Sequence, residues 1–112
     1  MMRVLVAITP QMYRQAIAFA IRCQRPGCEV RVAALEATKR VLANFRPHLV
    51  IHNDSDGLGA EELASVPCRV TVLYSNGMDA RISANGRVSE VRGMSIQDLR
   101  HVVDVAIALA GG

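Results

Sequence analysis

Arg46-Pro47-His48-Leu49-Val50-Ile51-His52-Asn53-Asp54 is the stretch that decides the fold. Pro47 halts a helix, Leu49-Val50-Ile51 forms a short apolar strand, and His52-Asn53-Asp54-Ser55-Asp56-Gly57 reads as a polar turn after it. Upstream, Ala37, Val41, Leu42 and Phe45 share one face of a short helix over residues 36–45. Before that helix lies a strand at residues 29–35, bounded on its entrance by Pro26-Gly27. Apolar residues at 13, 16, 17, 20 and 21 mark the first helix, with Thr9 as its predicted N-cap and Pro10 in its first turn. Residues 2–8 form a continuous aliphatic run, the pattern of a strand covered on both faces. Downstream, a short helix at residues 60–66 ends at Pro67. Strands and helices alternating at this spacing predict parallel strands joined by right-handed crossovers.

The second half changes character. Residues 69–75 read as a strand followed by Asn76-Gly77, and residues 79–84 as another followed by Asn85-Gly86. Paired Asn-Gly turns predict consecutive type I′ hairpins. In the second hairpin the two-residue loop sets Ala84 opposite Arg87, Ile82 opposite Ser89 and Arg81 opposite Glu90. Ala80, Ile82, Ala84 and Val91 then share one face, and an Arg81/Glu90 ion pair occupies the other. Ser95-Ile96-Gln97-Asp98 resembles a capping box, and Leu99, Val102, Val103, Ala106, Ile107 and Ala110 form an apolar stripe on a last helix that ends at Gly111-Gly112.

At 112 residues, 51% hydrophobic and 21% charged, the chain reads as one globular domain, 1–112, rather than a disordered segment. No leader-like or membrane-spanning apolar run is present, so a cytoplasmic location with no membrane partner is expected. The net charge is +3, and of thirteen Lys and Arg residues only Lys39 is a lysine. The arginines are dispersed among acids, which predicts a mixed solvated surface and no nucleic-acid partner. Cys23, Cys28 and Cys68 lack Cys-x-x-Cys spacing and are expected to be buried or partly buried free thiols, not disulfides or metal ligands.

From Arg3 to about Ser75, some two thirds of its length, the chain resembles the CheY-like receiver domain of response regulators. The residues that carry the likeness are Val4 to Ile8, Leu49 to Ile51 after Arg-Pro, and Asp56-Gly57-Leu58. The resemblance implies a three-layer CheY-like or flavodoxin-like α/β core with strands one to four parallel, here followed by an antiparallel meander and a C-terminal helix. It also implies a phosphotransfer site, and most of that site is missing. No Asp or Glu precedes Glu29, so the acidic pair that holds magnesium in the family is absent. Asn53 stands at the acceptor position. Ser75 matches the family's Ser/Thr position only with a shift of one, and no lysine follows Lys39. Phosphoryl transfer to a carboxylate crowds negative oxygens together and depends on cations to stabilise them. Arginine does not replace a desolvated ammonium closely. A degenerate receiver, or pseudo-receiver, that is not phosphorylated in the usual way is therefore expected.

Other chemistries fare worse. As a calcium loop, His52-x-Asp54-x-Asp56-Gly57 lacks the first acid and has Leu63 where the bidentate glutamate belongs. There is no dinucleotide-binding glycine pattern after strand one, no phosphate loop and no nucleophile elbow. No base is placed beside Cys23 or Cys68. The expected protein is a non-enzyme without cofactor or metal that works through a protein partner or a second copy. Its contact is expected at residues 78–92, with Arg81, Arg87 and Glu90 exposed there. The competing expectation is a small ligand, a divalent ion or atypical phosphoryl acceptance at Asp54, in a crevice formed by Thr9, Gln11, Asn53, Asp54, Asp56 and Ser75.

Overall fold

Six strands, β1 (Arg3–Val6), β2 (Glu29–Val32), β3 (Leu49–Asn53), β4 (Cys68–Leu73), β5 (Asp79–Ala84) and β6 (Arg87–Val91), form one sheet in the order β2-β1-β3-β4-β5-β6. The computed structural model describes residues 2–53, 58, 60–73, 78–84 and 86–111. β1 pairs in parallel with β2 and β3, and β3 with β4. The helices between them, α1 (Gln11–Gln24), α2 (Thr38–Phe45) and α3 (Ala60–Leu63), return the chain to the same end of the sheet. β5 and β6 follow connections too short for such a return, and both pair antiparallel. The fold is thus mixed α/β, and it departs from the five-stranded, all-parallel core of a receiver by its sixth strand and its antiparallel half.

Alternation along the strands sorts the core into two layers. Val4, Val6, Leu49, Ile51, Val70, Val72, Ala80 and Ile82 face α1 and the last helix, α4 (Ile96–Gly111). From α4 this layer receives Leu99, Val102, Val103, Ala106 and Ile107, as the predicted stripe requires. Leu5 and Val50 face the other way, onto Leu42 and Phe45 of α2 and Leu63 of α3. α4 packs on β3, β4 and β5. Val91 shares the face of Ala80, as the register requires, and is exposed because β6 lies beyond the helix's cover.

Local chemistry explains the element ends. Ser95 Oγ accepts from the Asp98 N–H at 3.2 Å while Asp98 Oδ2 accepts from the Ser95 N–H at 3.0 Å, the predicted capping box. These Ser95 bonds, backbone first, hold the Asp98 carboxyl below its usual range. Arg3 Nε donates to the carbonyls of Phe45 and Arg46, each at 3.0 Å, satisfying the C-terminal end of α2. Arg25 and Asp104 join α1 to α4 at 2.8 Å.

Four sequence expectations are corrected. β3 continues through His52 and Asn53, both buried, instead of turning at His52. The helix expected at residues 60–66 is the single turn Ala60–Leu63. Thr9 does not cap α1; Pro10 holds the N-cap position without a side-chain hydrogen bond. On α1 the buried residues are Ile17, Ala18, Ala20 and Ile21, so Ala16 falls on the exposed side with Met12 and Phe19.

The two sheet edges are unlike. At β2, Arg22 donates to the outward carbonyl of Val30 at 3.0 Å, and the Arg31 guanidinium lies over the Phe45 ring at 4.6 Å. At β6 every residue is exposed.

Candidate functional site

The carboxyl ends of β1 and β3 meet where connections leave on opposite faces of the sheet, the place at which open α/β sheets hold ligands. Asn53 ends β3 on the α1 side and is only 2% exposed. Its Oδ1 accepts from the Thr9 N–H at 2.7 Å and from Thr9 Oγ1 at 3.1 Å. The hydroxyl expected to start a helix instead ties the β1–α1 loop to β3. The Asn53 amide nitrogen is buried and has no hydrogen-bond partner among the described residues. An unmet buried donor of this kind costs about 1–3 kcal/mol. Gln11 stands exposed in the first turn of α1, which holds no acid. Thr9 and Asn53 are therefore in contact at one end of the sheet, and Gln11 begins α1 two residues after Thr9. Asp54, Asp56 and Ser75 lie outside the described residues.

His52 is buried on the opposite face, in contrast to the polar turn read from the sequence. Its Nδ1 lies 2.9 Å from the Asn53 carbonyl, which can only accept, so Nδ1 carries the proton. Nε2, 3.1 Å from Thr71 Oγ1, is then the acceptor of that hydroxyl's proton. Both ring nitrogens are engaged, and the Nε2–Thr71 bond ties β3 to β4. Among the described residues no group of three His, Cys, Asp or Glu side chains converges on a metal-sized space.

The second candidate surface is the β5–β6 hairpin. The expected register is found residue by residue, with Arg81 opposite Glu90 and Ala84 opposite Arg87. Arg81 donates to Glu90 Oε1 at 3.2 and 3.3 Å, and Arg92 to Glu90 Oε2 at 3.4 Å, so both carboxylate oxygens are engaged. Arg87 is exposed and in no ion pair among the described residues. Beside it a groove of ≈ 510 Å³ is lined by Ile82, Ala84, Arg87, Ser89 and Leu109. Sequence reasoning missed this groove. The available signal was Leu109, an apolar residue off the stripe by which α4 docks.

The three cysteines occupy three environments: Cys23 exposed, Cys28 intermediate and Cys68 buried. Cys23 thus departs from the buried role expected of it. Burial pushes the Cys68 thiol's pKa up, and its Sγ–H is directed at the Ala106 carbonyl at 3.7 Å. Thiol labelling of the native protein is expected to modify Cys23 first, Cys28 more slowly and Cys68 only on unfolding, as intact mass would read. Labelling of native Cys68 at the rate of Cys23 would contradict this placement. No protein-family model matches the chain, and no match is found among curated proteins or solved structures.

Proposed function

We propose that this protein is a non-catalytic, receiver-like signalling or interaction module of the cytoplasm, not phosphorylated in the usual way, which engages another protein through its β5–β6 hairpin. The observation that carries this reading is β6, a five-residue outer strand with every residue exposed. Such a strand offers unpaired backbone groups to a partner. The receiver-like part is supported by the order β2-β1-β3-β4, with which flavodoxin-like sheets begin. The loss of phosphotransfer is supported by charge. At the acceptor position stands an amide whose oxygen is committed to Thr9, and the single lysine, Lys39, lies 3.4 Å from Glu62. Among the described residues no helix is long and apolar enough to cross a membrane.

One observation favours a second reading. The Asn53 amide nitrogen, without a partner among the described residues, suits an acceptor atom of a small ligand beside Thr9 at this end of the sheet. The same donor does not suit a cation, so the divalent-ion version has less support. Incubation with acetyl phosphate and Mg²⁺ tests the first reading against phosphoryl acceptance. The intact mass is expected to stay unchanged. A phosphoryl adduct that disappears in Asp54→Ala would overturn the non-phosphorylated reading.

A further inference from the structure

We propose that β6 is a docking edge for an extended, acidic segment of another protein, which adds to the sheet as a seventh strand, sets a carboxylate against Arg87 and seats an apolar side chain in the groove beside Leu109. This rests on the reading of the hairpin as the contact surface and names the partner's chemistry.

Backbone geometry comes first. The pair that closes a two-residue hairpin exchanges hydrogen bonds, and hydrogen-bonded and non-hydrogen-bonded pairs alternate from there. Ala84–Arg87, Ile82–Ser89 and Ala80–Val91 are then the bonded pairs. Val88 and Glu90 direct their N–H and C=O groups away from β5, to the free side. Neither proline nor lysine, common guards of an exposed edge, occurs in β6. Its Val88, Ser89 and Val91 suit an extended chain, and the Val88 side chain is 60% exposed.

Side-chain geometry comes second. A strand laid beside β6 places alternate residues on the α4 face, where the groove lies. Leu109, 47% exposed, forms its apolar wall, and Ile82 and Ala84 its floor. Charge then selects the occupant. Arg81, Arg87 and Arg92 stand along this edge against Asp79 and Glu90. Glu90 is held by two of those arginines, and Asp79 Oδ1 accepts from the Gly93 N–H at 2.8 Å. Arg87 is left as the cation facing outward, so acidic partners are attracted. A second copy of β6 would add another unpaired Arg87 and no unpaired carboxylate.

The test uses the whole protein and a fluorescent peptide repeating Glu-Thr-Val-Thr, which puts glutamate and valine on the same face of a strand, with a lysine-for-glutamate peptide as control. The acidic peptide is expected to bind, to protect the amides of β6 from hydrogen exchange, and to weaken as salt rises. Val88→Pro removes one outward donor without removing a β5–β6 bond and is expected to weaken binding about ten-fold or more. Arg87→Glu leaves the backbone intact and is expected to weaken binding similarly while admitting the lysine peptide. Circular dichroism checks that both variants fold. Preference of the wild type for the lysine peptide, or a dimer abolished by Val88→Pro, overturns the acidic partner while leaving β6 as the contact. A monomer that takes neither peptide overturns both the partner and the reading beneath it.

Discussion

Leu99→Ala is expected to destabilise the protein by about 3 to 5 kcal/mol, a loss read as a lower urea midpoint with little change in slope. Leu99 is fully buried in the first turns of α4, in the core layer that this helix shares with α1, β3, β4 and β5. Truncation removes its transfer free energy and leaves a cavity that the surrounding sheet cannot collapse to fill, because β3, β4 and β5 are held in register by their neighbours. Domains of this size have only about 5 to 15 kcal/mol in total, so a large share is lost. Leu109→Ala on the same helix is the internal control. It sits at the groove rather than in the core and is expected to cost about 1 kcal/mol or less. Equal losses at the two positions would mean that α4 docks through a different face.

Asn53→Asp is expected to lower stability at neutral pH by on the order of 3 kcal/mol, although it installs the residue type that the resemblance to receivers implies there. One carboxylate oxygen would inherit the Thr9 donors. The other would replace the amide nitrogen, which is already buried and without a partner among the described residues. Burial of that oxygen disfavours the charged form and raises the carboxyl's folded-state pKa above its unfolded value near ~3.9. The sign follows. Below the unfolded value the group is protonated in both states and the cost is smallest; stability is then lost as pH rises through the folded-state value. Urea denaturation at pH 4 and pH 7 measures the difference. A variant as stable as the wild type at pH 7 would show that the crevice can carry an anion.

These expectations use parts of the molecule that the sequence exposed to different degrees. The α4 stripe and the hairpin register were legible because each depends on local spacing: the helical repeat in one case, a two-residue loop in the other. The capping box was legible for the same reason, its partners lying three residues apart. His52 and Asn53 were not. Two polar residues before Asp54 look like a turn, and Thr71 and Thr9, distant in the chain, supply hydrogen bonds that make their burial tolerable. The same long-range bond withdraws Thr9 from the capping role its position suggests. The groove escaped notice because it arises where a helix ends its cover of a sheet, which depends on layer placement and not on any one segment's pattern.

The unequal edges also limit how far the molecule can assemble. Head-to-tail stacking of sheets into a fibre needs two receptive borders on each subunit, so that every added copy presents the next one with a fresh template. Here Arg22 occupies the Val30 carbonyl on the β2 border. The β2 border is thus the less receptive of the two, and the sticky margin of the molecule is β6.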